Sequence, residues 1–408
     1  MNCVTFWEPV TVSFRKSAGG ATLTFDAGRD YIFANAQLDR IMQEENVKSR
    51  IYKISRLDSR IPNFHVAAKK PGNQRLLMYN GSGGYGDQII TWPVTRILAG
   101  MGYEVHMAVD PGNQVCWWNI PWVKSLQTLP IQAAQFWMYD YFYMMDHVNN
   151  MDEHQDQEHP VDTMLRKIGI DPKQVPDDYK VLRPIFTATE AMSARSYEGQ
   201  KFGIYQLAAA NKTRSLPALD SAFLLAKLAE AFPDLTWLAI YDEFIPKEYC
   251  EACMAKAKDA DGKELLNEKN EPIMKVKWSN VQLFTARNLR EMWSITRHAK
   301  IVVSPDSMMV HVAGSMAIPC VGLWGMVSPH NRVKYYKNHL AIHNKEACPM
   351  SPCFSYLANF PKYCPPRKDR IVCECLGAIS PVQVIDAIRK IQPELAKKEP
   401  AKVDAPKA

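Results

Sequence analysis

The stretch KIVVSPDSMMVHVAGSMAIPCVGLWG, residues 300–325, decides the fold. IVVSP is a short β-branched run, SMMVHVAGSMA carries apolar residues at helical spacing, and CVGLWG is a second buried strand. Two apolar strands joined through a helix predict a parallel sheet with a right-handed crossover. Asp306-Ser307 ends the first strand and opens the helix, and both residue types are strong N-caps. His311 follows one turn in. Helix-start amides beside a hydroxyl and an imidazole suit a pyrophosphate, although His311 alone reads as a satisfied helix histidine. The weakly charged run 308–327 has the length of a membrane span, but His311, Pro319 and three glycines divide it into helix, turn and strand.

Working outward, the same alternation continues. KFGIYQLAAA (201–210) is a strand that runs into NKTRSLP (211–217), where Lys212 and Arg214 would neutralise the same diphosphate. Residues 218–232 predict a strong helix, LTWLAIYDE a strand, 255–275 a charged loop or hairpin, NVQLFTA a strand and LREMWSITRHA a helix. In the first half, RLLMYN (75–80) is a buried strand, GSGGYGD (81–87) a glycine loop, QIITWPVTRILAGM a helix and YEVHMAVD (103–110) a strand. The chain has 408 residues, 47% hydrophobic and 23% charged, which suits two ordinary globular domains. A net charge of +6 is compatible with an anionic ligand and is no nucleic-acid signature by itself.

Gly81, Gly83 and Gly86 have G-x-G-x-x-G spacing, and Asp110 ends the next strand where an acid would hold a ribose, so a dinucleotide site in an NAD-dependent oxidoreductase is a rival reading. A tight strand-to-helix turn explains the glycines equally well. Neither explains Asp87, which follows the loop directly. In the first helical turn it is a capping acid, or a general base kept ionised by the helix dipole and aimed into a cleft between the domains; the base is favoured.

The order of these features, a glycine loop plus Asp, a strand with K-x-R, then LxxxWxxxxxAKxVVSPDSxxxHxAxxxxxPxVxLxG, resembles the family 9 glycosyltransferases, typified by ADP-heptose:lipopolysaccharide heptosyltransferases. The resemblance covers roughly residues 74–392, and the C-terminal motif is its specific part. It implies an α/β, GT-B fold of two facing Rossmann-like domains and an inverting, metal-independent transfer from a nucleotide-sugar co-substrate to an acceptor hydroxyl. Asp87 then matches the catalytic base and Gly83, Gly84 and Gly86 the glycine loop. Lys212, Arg214, Asp306, Ser307, Met308 and His311 fall on the donor side. The family usually has Gly where Met308 stands, which would let backbone approach phosphate closely.

The expected organisation is an accessory strand-and-helix module over 1–72, an acceptor domain over 73–185, a donor domain over 186–392 and a disordered Lys/Ala/Pro-rich tail over 393–408. In the module VTVSF and ATLTF form a hairpin about Gly19-Gly20, a helix and strand follow, and Pro71-Gly72 closes it. The start MNCVTFWEPV lacks a signal-peptide pattern, so a cytoplasmic location is expected, with peripheral attachment at the inner membrane left open.

No cofactor is required by this reading. Cys348, Cys353, Cys364, Cys373 and Cys375 crowd one proline-rich segment and are read first as free buried thiols, then as a structural zinc set, although they are not paired C-x-x-C knuckles, and last as disulfide partners. Cys250 and Cys253 form a lone C-x-x-C with no redox context. The family default for the acceptor is lipopolysaccharide or another glycan. The lesser alternative is a hydroxymethylated base in nucleic acid, stacked on Trp117, Trp118, Phe136, Trp137 and Tyr139, whose plainer reading is domain core.

Overall fold

A computed structural model describes residues 2–6, 8–14, 21–33, 35–56, 64–66, 74–81, 84–145, 158–210, 212–241, 245–258, 263–267, 272–348, 351–353 and 373–395. The chain divides into two compact units, Met1–Thr187 and Ala188–Ala408. Gly19-Gly20, Pro71-Gly72 and residues 396–408 of the expected tail lie outside the described residues.

The first unit opens with β1 (Asn2–Phe6), β2 (Val10–Phe14), β3 (Ala21–Phe25), β4 (Asp30–Phe33) and β5 (Ile51–Arg56). Then come β6 (Gln74–Asn80), β7 (Tyr103–Val109), β8 (Val123–Thr128), β9 (Ile131–Gln132) and β10 (Tyr141–Met144). β6, β7, β8 and β10 form a parallel sheet in the order β10-β6-β7-β8. Their runs are buried on both faces, as parallel strands under helices require. β1, β4 and β5 pair antiparallel, and β2 and β3 form the expected hairpin.

The strands of residues 1–72 are continuous with the parallel-sheet domain. Two-residue β9, which lies between β8 and β10 in sequence, pairs with β4 through Tyr31↔Gln132 and Ile32↔Ile131. One face of β4 turns Phe33 into a cluster with Val4, Phe6, Val12 and Phe25, and the other turns Ile32 into a cluster with Leu77, Tyr79, Ala108 and Leu129. The period of two along β4 serves two cores at once.

The second unit contains β11 (Phe202–Gln206), β12 (Thr236–Ile240), a small β13–β14 ribbon (Met254–Lys256 with Met274–Val276), β15 (Val281–Phe284), β16 (Ile301–Pro305), β17 (Cys320–Trp324) and β18 (His339–His343). Its six-stranded sheet runs β15-β12-β11-β16-β17-β18 and every pairing is parallel. Counted along the sheet, this is the doubly wound order 3-2-1-4-5-6, which reverses direction between β11 and β16. Residues 308–327 do split into the helix Met308–Ser315, a turn and β17, and no helix among the described residues is long and apolar enough to cross a membrane.

β18 carries a buried group with a pH consequence. His339 packs edge-on to Trp324, and a side chain at Gly322 would collide with both rings, so glycine is needed there. Neither His339 nitrogen has a hydrogen-bond partner among the described residues, and burial lowers its pKa to about 4. The native state thus holds His339 neutral, while the unfolded chain takes up a proton below about pH 6.5. Stability is complete above that pH and is lost as pH falls from about 6.5 toward 4. Between pH 7 and 5 this group removes about 2 kcal/mol. His339→Leu should flatten the urea midpoint of this unit across that range, and an unchanged slope with pH would contradict the assignment.

Candidate functional site

In doubly wound sheets, ligands bind beyond the carboxyl ends of the strands where the order reverses. In the second unit those ends are Gln206 of β11 and Pro305 of β16, and the two sequence motifs continue from them: Lys212–Arg214 and Asp306-Ser307.

The loop after β11 is tightly held. Ser215 Oγ accepts from the Ala209 amide at 2.9 Å and donates to the Ala209 carbonyl at 3.2 Å, closing the loop on itself. Thr213 Oγ1 donates to Met326 Sδ at 3.3 Å, anchoring the turn beside the end of β17. Arg214 Nη1 lies 3.7 Å from Asp306 Oδ2, so the basic loop and the start of the next helix are joined by an ion pair. Lys212 sits in the single 3-10 turn Lys212–Arg214, and Asn211 lies outside the described residues.

Ser307 caps the helix Met308–Ser315: its Oγ accepts from the Met309 amide at 3.3 Å and contacts Ser304 Oγ at 2.9 Å. Met308, the departure from glycine, is engaged by the neighbouring helix Leu289–Thr296, where Trp293 Nε1 donates to its sulfur at 3.3 Å. His311 is 5% exposed, and its Nδ1 lies 3.0 Å from Tyr336 Oη. Burial drives the Tyr336 phenol well above its usual pKa, so it stays protonated. The structure therefore brings Arg214, Asp306, Ser307, Met308 and His311 onto two adjacent strand ends.

In the first unit the glycine loop also follows a strand at an order reversal, β6 beside β10. Ser82 and Gly83 lie outside the described residues. Gly84 is the N-cap of the helix Tyr85–Gly100, and Gly86 is buried in its first turn. Asp87 completes a capping box: its Oδ2 accepts from the Gly84 amide at 2.8 Å, while its own amide donates to the Gly84 carbonyl at 3.1 Å. The capping acid weighed in the sequence is thus formed, at a half-buried position.

Asp110 does not stand as a ribose acid. Its Oδ1 accepts from Gln37 Nε2 at 2.8 Å and from Tyr79 Oη at 3.1 Å, so the carboxylate is used inside the protein. A side chain at Gly81 would overlap the Tyr79 ring, which accounts for that glycine by packing. These two facts give Asp110 and Gly81 structural roles, and a dinucleotide site is not favoured. The aromatic set resolves similarly: Trp117, Phe136 and Tyr139 are core, leaving Trp118 and Trp137 exposed. Sequence reasoning missed Gln37; a lone amide in the helix AQLDRI gave no signal of its partner 73 residues away.

The described cysteines are thiols. Burial raises the Cys373 and Cys375 thiols above their usual pKa, and Cys375 lies within interaction range of Ser351, Cys373 and Cys348. Cys364 lies outside the described residues. Among the described residues no group of three His, Cys, Asp or Glu side chains is disposed to hold a metal ion.

Residues 186–364 match the model of glycosyltransferase family 9 (heptosyltransferase). No curated protein matches the chain. Among solved structures, the chain is similar to the ADP-heptose lipopolysaccharide heptosyltransferase II of E. coli, at 12% identity and a TM-score of 0.54 over 78% of this chain and 99% of that one. A family 9 glycosyl transferase from Veillonella parvula gives 13% and 0.55, over 79% and 97%. The iron-containing dodecameric glycosyltransferase TibC from enterotoxigenic E. coli gives 14% and 0.51, over 97% and 94%. At these identities the likeness carries the fold, which is of the GT-B class. The 97% coverage extends it into the N-terminal strands, beyond the stretch 74–392 that carries the sequence resemblance.

The Ser307 cap has a measurable weight. Ser307→Ala should destabilise the second unit by about 1 kcal/mol, seen as a lower urea midpoint at constant slope. An unchanged midpoint would mean that the cap contributes nothing.

Proposed function

From the premise that this chain is a glycosyltransferase with a family 9 domain over residues 186–364, we propose that it inverts a sugar centre while moving the sugar from a nucleotide-sugar to a glycan hydroxyl. The observation that carries this reading is the meeting of the Lys212–Arg214 turn and the Ser307-capped helix at the order reversal between β11 and β16.

The donor's diphosphate is received at the N-terminus of the helix Met308–Ser315, where amides and the helix dipole favour anionic oxygens. Arg214 pairs with Asp306, and Lys212 of the same turn is assigned the contact with the diphosphate. His311 supports the same turn through Tyr336, and Trp293 fixes the Met308 side chain. In the first unit, Asp87 takes the acceptor hydroxyl's proton as its oxygen bonds to the anomeric carbon. The bond from that carbon to the diphosphate breaks, and the nucleoside diphosphate leaves with the electron pair. The chain acts from the cytoplasmic side in this reading. The donor class accords with the ADP-D-β-D-heptose bound in a structure of TibC.

Asp87→Asn keeps the capping geometry within reach but removes basicity. Loss of kcat on the order of 10²–10⁴-fold with donor affinity almost unchanged is expected; near-normal turnover would exclude Asp87 as the base.

Lys212→Ala should weaken nucleoside-diphosphate binding by about 1–3 kcal/mol. Calorimetry with ADP as the probe measures this, and an unchanged affinity would take Lys212 out of the donor site.

A further inference from the structure

We propose that Gln37, in the N-terminal strand-and-helix region, is a positioning residue that holds the glycine loop from which Asp87 acts. The inference rests on the reading of Asp87 as the base.

Three links, two part-buried hydrogen bonds and one packing contact, connect Gln37 to the loop. Gln37 is 4% exposed, and its Nε2 reaches both Asp110 Oδ1, at 2.8 Å, and the Leu129 carbonyl, at 3.0 Å. Asp110 stands at the carboxyl end of β7, and the same Oδ1 accepts from Tyr79 Oη at 3.1 Å. Tyr79, 1% exposed, lies so close over Gly81 that no side chain fits there. Its hydroxyl is therefore both an Asp110 ligand and the surface against which the start of the glycine loop rests.

A second route leaves the same aspartate. Asp110 opens the 3-10 segment Pro111–Trp117, its carbonyl accepting from the Asn113 amide at 2.9 Å. Asn113 Nδ2 reaches back to the Gly81 carbonyl at 3.4 Å. At the far end of the segment, Trp117 Nε1 donates to Gln88 Oε1 at 2.8 Å, one residue after Asp87. Asp110 is thus the hub of a brace on Gly81 and Gln88, and Gln37 is the donor that enters it from outside the parallel-sheet domain. The β4–β9 pairing holds the two regions in register so that Gln37 can reach.

A partly buried carboxylate oxygen that loses a donor recruits another. Without Gln37, Asp110 would draw on Tyr79 or on water, and Tyr79 would shift off Gly81. The effect would fall on the orientation of Asp87, because Gln37 reaches Asp110 and the Leu129 carbonyl inside the protein.

The test uses the full chain. Gln37→Met fills the same space and removes the hydrogen bonds, and amide hydrogen exchange read by mass spectrometry reports the loop directly. Peptides covering residues 79–90 and 110–117 should exchange about tenfold faster, the factor expected for one lost hydrogen bond of ordinary net strength. Tyr79→Phe, which cuts the brace from the loop side, should give the same pattern. Tyr31→Phe is the control: it removes the Asp26–Tyr31 bond in the same N-terminal region and should leave 79–90 unchanged. In the transfer assay used for Asp87→Asn, Gln37→Met should lower kcat about tenfold at unchanged donor KM. Unchanged exchange at 79–90 in both brace variants, an equal rise in Tyr31→Phe, or a loss appearing only in KM would overturn the proposal. Full turnover by Asp87→Asn would instead overturn the base reading, while the exchange data would still decide whether the brace exists.

Discussion

The second unit depends on one topological constraint, the reversal of strand order between β11 and β16. Parallel strands send their connecting helices to one face on one side of that point and to the other face beyond it, so two adjacent strand ends diverge. The chain leaves those ends in loops, and helix starts leave backbone donors unsatisfied. The sequence fills the opening with groups that suit it. Ser307 satisfies one orphan amide, Ser304 orients Ser307, and the Arg214–Asp306 pair ties one strand end to the other. At 3.7 Å and with Arg214 partly exposed, that pair contributes little to stability and mainly fixes the geometry of the loop.

The same constraint recurs in the first unit with different chemistry. β6 and β10 straddle its reversal, and the loop after β6 meets a helix start capped by a carboxylate rather than a hydroxyl. Here the surrounding cations are replaced by a brace of neutral donors on Asp110, built from Gln37 and Tyr79. One site is arranged around positive charge at a helix start, the other around a negative one.

Elements with strong periodicity were legible in the sequence. β11, β16 and β17 are apolar on both faces, and the helix 218–231 was bounded within one residue of its observed end. The Asp306-Ser307 junction was legible because short polar residues stand between a strand and a helix, where capping chemistry restricts the choice. What escaped were pairings with no local signature. β9 is two residues long and joins β4 from 98 positions away, too short for any alternation to show. Asp110 looked like a ribose acid because its spacing from the glycines fits that role. Only the hydroxyl of Tyr79 and the amide of Gln37, brought in by the fold, reveal that its oxygen is already used. Met308 reads as an intrusion until Trp293, 15 residues earlier, is seen to hold its sulfur.

The capping role of Asp87 and its proposed role as a base are compatible for a physical reason. A carboxylate anchored through one oxygen to the Gly84 amide has its rotamer fixed, and the other oxygen points in one direction. Fixing that direction in advance removes an entropic cost from the reacting complex. In the proposed transfer the acceptor hydroxyl becomes acidic only as its oxygen bonds to the electron-poor anomeric carbon, so a base already held in the right place serves better than one free to rotate. That is why the hold on Gly81 and Gln88, through the brace on Asp110, bears on the chemistry as well as on the fold.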